Sequence, residues 1–388
     1  MRRRPLLPIF VAAVCAGVAA AAGAASTGAD PRQDQEWFLA AVGARQTAPP
    51  GPGVPLTVVD SGVDATQPDF AGRPDTAYLN AQTVTGTSEF HGTEVASVAA
   101  APENGIGIAG VYPQAALDIW DATPTPTGIQ SAEAAAGIAA APCPGVVNLS
   151  WGAPATDPVL ERAIVAAQRR GCLLVAAAGN RTGAGSPPVY PAAYPHVLAV
   201  GASDQTGAVA SSSASGPWVD LYAPGVGIVA DTTVARSASG TVVDDGTSFS
   251  AAIVAAAAAW VWTERRSLSA AQVFALLKGT AVNGIANIPA ALSAPTPPND
   301  PREPNDTLAE AAAQPPLTTK ARPSNRIAAT LDAVKDAVDV YRIFVPPHAR
   351  VQLSVSGHAV ARVTGSYAVV TLAPGAARAS YVLRVSTP

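Results

Sequence analysis

Apolar residues along this chain of 388 residues fall into two rhythms. From Val54 to about Gly201, short runs such as Val54-Pro55-Leu56-Thr57-Val58-Val59-Asp60 are apolar on both faces and alternate with Ala-rich stretches. Such runs predict strands buried between helices. The strands expected are 54–60, Ala115 to Trp120, Val146 to Ser150, Leu173 to Ala178 and Val197 to Val200. Helices are expected over HGTEVASVAAA from His91, Ile129 to Ala141 and Val159 to Arg170. The alternation predicts an α/β fold with a doubly wound, mainly parallel sheet, in which chemistry gathers at the carboxyl ends of strands. Beyond a Pro-rich stretch from Ala294 to Pro304 the rhythm changes. Asp339 to Val345, Arg350 to Val355, Tyr367 to Leu372 and Ala379 to Val385 alternate apolar and polar, which predicts a second, small antiparallel β-sandwich domain.

Composition narrows the function classes. Apolar residues make up 48% of the chain and charged residues 13%, and the net charge is −4. That excludes a disordered chain and an electrostatic nucleic-acid binder, and it leaves a folded protein expected to be a monomer. Arg2, Arg3 and Arg4 precede an apolar run from Leu6 to Ala22 and small residues around Ala22 to Ala25, the pattern of an export signal over residues 1–25. An uncleaved membrane anchor is the alternative. Cleavage predicts a secreted or envelope-associated protein with no stable membrane insertion. It also leaves two cysteines, Cys143 and Cys172. Each opens a strand-like run, so the pair is read either as one disulfide between adjacent strands or as two buried thiols.

Candidate chemistry centres on Asp244 to Trp262, DDGTSFSAAIVAAAAAWVW. This stretch reads as a helix buried on every side, with Ser248 in its first turn. A helix N-terminus carries unpaired N–H groups and partial positive charge, so it can hold an oxyanion, although Ser there is commonly just a cap. A hydroxyl nucleophile needs an imidazole to take its proton and a carboxylate to orient the imidazole. Of four histidines, His348 and His358 lie beyond the Pro-rich boundary and His196 sits between Pro195 and a strand, where a surface or strand-entry role suffices. His91 is then the candidate base, and Asp60, closing the first buried strand, the candidate carboxylate, with a turn aspartate bonding its own backbone as the alternative. Asn180, closing LLVAAAGN, supplies an amide donor.

These segments resemble the subtilisin-like serine peptidases. VVDSGVD around Asp60, HGTEVAS around His91, VVNLSWG around Asn148, VAAAGN ending at Asn180, GPWVDLYAPGVGI from Gly216 and GTSFSAA around Ser248 are similar to that family's motifs, in order, across Gln33 to Leu292. The resemblance implies a secreted serine endopeptidase acting on proteins and peptides. It implies an Asp60–His91–Ser248 triad, Asn180 as oxyanion donor and no cofactor for catalysis. It further implies that Ser150, Trp151 and Gly152 pair with the substrate backbone. Ala177, Ala178 and Gly179 would line the P1 pocket, with Val189 closing it and favouring small or medium apolar side chains. ENGIGIAGV from Glu103 resembles the family's calcium loop. Asp69 and Asn104 would be side-chain ligands, Ile106 and Ile108 carbonyl ligands and Gln35 a weaker one; the alternative is a Gly-rich turn without metal. Glu94 stands where the family usually has a second histidine and reads as an exposed helix residue.

The domain plan expected is a signal over 1–25, a short extension or propeptide over 26–53, a catalytic domain over 54–293, a linker over 294–304 and a β-sandwich over 305–388. The last resembles the bacterial pre-peptidase C-terminal domain through REPNDTLAEA and KDAVDVYRIFV. Asp336 and Asp339 there are candidate calcium ligands, with solvated turn carboxylates as the alternative. Two rival functions share these residues: an inactive scaffold that binds surfaces, and an esterase using the same triad.

Overall fold

In the computed structural model the described residues are 30–82, 84, 89–124, 128–180, 186–347 and 350–386, so the expected export signal lies outside them. Seven strands form one sheet: β1 (Leu56–Asp60), β2 (Thr76–Tyr78), β3 (Leu117–Asp121), β4 (Gly145–Leu149), β5 (Cys172–Ala177), β6 (Val197–Ser203) and β7 (Leu221–Pro224). Their order is β2-β3-β1-β4-β5-β6-β7, and every pairing is parallel. From β1 the chain first builds outward to β2 and β3, then returns to add β4 on the other side. The gap between the carboxyl ends of β1 and β4 is therefore the topological switch point, where open sheets hold their ligands.

Both faces of the sheet are covered. Val58, Val146, Leu173, Val175 and Leu198 point into one apolar core, while Val59, Val147, Leu174, Ala176 and Ala199 point into the other. That alternation explains why the strands read as continuous apolar runs. Helices α1 (Trp37–Ala41), α2 (His91–Ala100) and α5 (Thr247–Glu264) pack on the first face; α3 (Ser131–Ala140) and α4 (Pro158–Arg169) pack on the second. α5 has no polar stripe and is buried along almost its whole length against α2, β4, β5, β6 and β7. The short strands β2 and β7 went unseen in the sequence because three or four residues carry too little periodicity. So did the antiparallel hairpin of β8 (Ile228–Asp231) and β9 (Thr241–Asp244).

Cys143 and Cys172 form a disulfide with Cα atoms 5.0 Å apart. The parallel pairing of β4 with β5 sets Gly145 opposite Cys172 and so brings the two cysteines to one end of the sheet. No helix among the described residues is long and apolar enough to cross a membrane.

After α6 (Ala270–Gly279), α7 (Ile288–Ser293) and α8 (Leu308–Ala313) come six strands in two antiparallel sheets. These are β10 (Ser324–Asp332), β11 (Val338–Arg342), β12 (Gln352–Ser356), β13 (Ala359–Thr364), β14 (Tyr367–Leu372) and β15 (Arg378–Ser386), ordered β10-β15-β12 and β11-β14-β13. Ile327, Leu331, Tyr341, Val370 and Leu383 fill the space between the two sheets. The Pro-rich stretch is not a free tether. Arg265 donates to Ala294 O at 2.8 Å, Gln272 to Pro297 O at 2.7 Å and Ser269 to Asn299 at 2.5 Å, and Asp300 is buried.

Replacing both cysteines by serine removes a cross-link spanning 29 positions. We expect a loss of about 2–4 kcal/mol, read from denaturant unfolding of the full chain.

Candidate active site

The sheet delivers the carboxylate and α2 the imidazole. Asp60 ends β1 and is only 1% exposed. Its Oδ1 accepts from Ser61 N at 2.8 Å and lies 2.8 Å from His91 Nδ1. His91 is the first residue of α2, with its side chain 33% exposed, so the ring joins a buried carboxylate to open space. Burial opposes charging of the imidazole. The charge of Asp60 and the hydrogen bond to it outweigh that, and the pKa of His91 lies above its ordinary value. Two contacts fix the approach of α2. Gly92 N donates to Ser61 Oγ at 2.9 Å, and a Cβ on Gly92 would stand 2.1 Å from Gly62 O. Only glycine fits there.

Ser248 is the second residue of α5. Its hydroxyl donates to Ser150 O at 2.8 Å, and Ser150 Oγ donates back to Ser248 O at 2.7 Å, tying the start of α5 to the segment that follows β4. Among the described residues no hydrogen bond joins His91 to Ser248. Asn180 follows β5, and its Oδ1 accepts from Thr247 N at 3.0 Å and Thr247 Oγ1 at 3.2 Å. Thr247 Oγ1 in turn accepts from Gly179 N at 3.0 Å. With the oxygen held, Asn180 Nδ2 and Ser248 N both lie near Gly246, each 3.7 Å from the position of a Cβ there. Thr247 was not singled out in the sequence, although it stands beside Ser248; only the fold shows that it orients Asn180.

Gly152 and Gly179 face each other across Val189. A Cβ on Gly152 would meet Val189 Cγ1 at 2.6 Å, and one on Gly179 would meet Cγ2 at 2.9 Å. Ala177 and Ala178 are buried behind Gly179. Trp151 Nε1 donates to Val59 O at 2.7 Å, fixing the segment 150–152 over the end of β1.

Residues 51–313 match the model of the subtilase family. The chain belongs to that family. Over 235 residues this subtilase is 38% identical to Subtilisin Savinase of Lederbergia lenta, covering 60% of the chain and 85% of that protein. It is 34% identical over 238 residues to Subtilisin E of Bacillus subtilis (strain 168), covering 60% of the chain and 61% of the relative. A solved structure of a protease from Pseudoalteromonas arctica PAMC 21717 superposes with a TM-score of 0.59 at 24% identity, over 69% of this chain and 99% of that one, a likeness of fold. The subtilase is a serine-type endopeptidase.

The structure corrects the expectation for Glu94. It is 1% exposed, not on the surface. Its carboxylate accepts from Thr232 Oγ1 at 2.6 Å and pairs with Arg236 at 3.1 Å. Arg236 also stacks 3.7 Å above the Phe90 ring and pairs with Asp244 at 2.5 Å. Burial pushes Glu94 up to about 6, against the hydrogen bond from Thr232 and the charge of Arg236. The ion pair lies between α2 and the β8–β9 hairpin, a contact that sequence spacing cannot show.

In the loop after α2, Asp69 Oδ2 accepts from Ile108 N at 3.1 Å and Asn104 Oδ1 from Ile106 N at 2.9 Å. Ile106 itself is exposed. Asp30 caps the loop by accepting from Asn104 N and Gly105 N at 3.1 and 2.7 Å. Gln35 turns instead to Arg32 at the surface. Asp231, unseen in the sequence, faces Asp69 across Gly107; the two carboxyls hydrogen-bond to each other, and Asp69 Oδ1 and both Asp231 oxygens are buried with no other partner among the described residues. Burial, and then Asp69, pushes Asp231 up to about 10.

Asp339 is also not a solvated turn residue. It lies buried on β11 and accepts from Tyr381 Oη. Asp300, Glu303 and Asp339 each offer an oxygen within 4.8 Å of the others. Burial pushes Asp336 up to about 7, against the charge of His196. His196, expected to have a surface or strand-entry role, immediately precedes β6 and lies 2.9 Å from Asp306 and 3.3 Å from Glu303.

Gly92→Ala sets a methyl against backbone rather than against a movable side chain. We expect a loss of roughly 1–3 kcal/mol together with a fall in kcat as His91 shifts, measured by unfolding and by peptide hydrolysis.

Proposed function

We propose that this subtilase is a secreted endopeptidase that cleaves peptide bonds through an acyl-enzyme on Ser248. The observation that carries the reading is the 2.8 Å bond between the buried Asp60 carboxylate and His91 Nδ1. It holds the Nδ1–H tautomer and leaves Nε2 free to accept a proton. For the reaction the Ser248 hydroxyl swings from Ser150 O to His91 Nε2, and Ser150 O is then released to accept a substrate N–H. His91 takes the proton as Ser248 attacks the carbonyl and gives it to the leaving amine. Asn180 Nδ2 and Ser248 N hold the oxyanion. Water, with His91 again as base, then frees the acyl group. Ser150, Trp151 and Gly152 run beside the substrate backbone, and Val189 limits the P1 pocket to small or medium apolar side chains. The C-terminal strands, which resemble the pre-peptidase C-terminal domain, accompany the catalytic unit.

A structural calcium ion belongs to the same reading. Support comes from the facing buried carboxyls of Asp69 and Asp231, which find few donors in the protein. A hard cation takes such oxygens. Asp69 and Asp231, with carbonyls of the 104–108 loop, would hold it, supplying stability and no catalytic step.

Casein digestion and fluorophosphonate labelling test the enzyme. Ser248→Ala is expected to abolish labelling and to lower kcat more than about 10^4-fold, and Asn180→Ala to lower it by ~10^2 to 10^3. Labelling without casein cleavage would favour the esterase; no labelling, the inactive scaffold. Imidazolium cannot accept the serine proton, so activity is lost as pH falls through the raised pKa of His91. We therefore expect the acid limb of kcat/KM above the ordinary 6.5. Excess chelator is expected to lower Tm by about 5 °C, and an unchanged Tm would remove the cation.

A further inference from the structure

The segment from Val189 to Val197 joins the wall of the P1 pocket to the start of β6 without helix or strand of its own. At its near end Tyr190 exchanges two 2.8 Å backbone hydrogen bonds with Ala153. Further on it is held from the C-terminal part of the chain. Lys335, in the turn between β10 and β11, passes into the catalytic unit with its side chain only 5% exposed. Nζ donates to Ala192 O at 2.9 Å, Val197 O at 2.8 Å and Asp220 Oδ2 at 2.7 Å. An ammonium has three protons, and all three are used. Asp220 is itself held by Ala199 N at 2.9 Å and Lys278 Nζ at 2.7 Å, so the charge of Lys335 meets a pre-set partner. A second grip lies beside it, where His196, at φ +55°, pairs with Asp306 and Glu303.

We propose that Lys335 is a positioning residue for substrate selection: by clamping Ala192 O and Val197 O it sets where Val189 stands between Gly152 and Gly179. The C-terminal unit is then a working part of the P1 pocket rather than a passive appendage. Two of the three acceptors are backbone carbonyls of the segment itself. Without the ammonium they lose their donor, and the segment must find another arrangement. Simple glue between domains needs no contact with this segment.

The inference rests on Val189 closing the P1 pocket, so Val189→Ala is measured beside Lys335→Met in the full chain. Peptides differing only at P1 (Ala, Val, Leu, Phe) give the profile of kcat/KM. A small fluorophosphonate that does not fill the pocket reports Ser248. Lys335→Met is expected to change the Leu-to-Ala ratio by about fivefold or more while labelling stays within about twofold. A parallel fall for every P1 residue, or an unchanged profile, would make Lys335 glue and overturn the proposal. If Val189→Ala leaves the profile unchanged, the pocket-wall reading fails and takes the proposal with it. A shift with Val189→Ala but none with Lys335→Met sinks the clamp alone. Should Lys335→Met not fold, His196→Asn is read the same way: it cuts the second grip, and Asn tolerates the left-handed φ.

Discussion

A helix with no polar face must be enclosed, and the enclosure of α5 organises this protein. Eighteen residues from Thr247 to Glu264 present apolar groups all round, so the sheet must cover one side and α2 another. Because α5 lies across β4 to β7, its first turn comes to the carboxyl ends of those strands. Ser248 therefore arrives next to Ser150 and Asn180 through hydrophobic burial alone. The reciprocal bonds between Ser150 and Ser248 then fix the register locally.

Asp60 and His91 reach the same place by a different route. The chain leaves β1 at the switch point, makes the edge strand β2 and comes back through α2 before it adds β3 between β2 and β1. The Ser61–Gly92 bond and the backbone approach at Gly62 set the entry of that helix. The site thus draws on four elements whose relative positions all depend on two apolar cores, one on each face of the sheet. Several polar groups near it are held in place: Thr247 holds Asn180, Trp151 holds Val59 O, and Arg236 answers the buried Glu94, while Asp60 Oδ2 is buried without a hydrogen-bond partner among the described residues. Polar groups held in this way have little freedom to reorganise, which is what electrostatic catalysis asks of its surroundings.

The C-terminal strands form their own core, yet they are not set apart from the catalytic unit. Lys335 and Lys278 converge on Asp220, and Asp306 reaches His196. Burying an ammonium is costly unless acceptors are waiting. Here the acceptors are Asp220 and two backbone carbonyls of the segment between Val189 and β6. Charge and hydrogen bonding tie the two units together at this junction.

Much of the plan was readable in the residues themselves. The parallel sheet could be anticipated because strands buried on both faces leave continuous apolar runs, and α5 because eighteen residues without a polar stripe admit few other fates. Asp60, His91, Asn180 and Ser248 stood out because each ends or begins such an element, where side chains leave the core. What local sequence could not reveal depends on residues far apart in the chain. Glu94 looked like surface because its partner Arg236 lies 142 positions away. Asp231 gave no sign that it faces Asp69, and Lys335 none that its acceptors lie 138 and 143 positions earlier. Periodicity reports which side of an element is buried; only the assembled fold decides what it is buried against, because those contacts arise from packing between segments that share no local pattern.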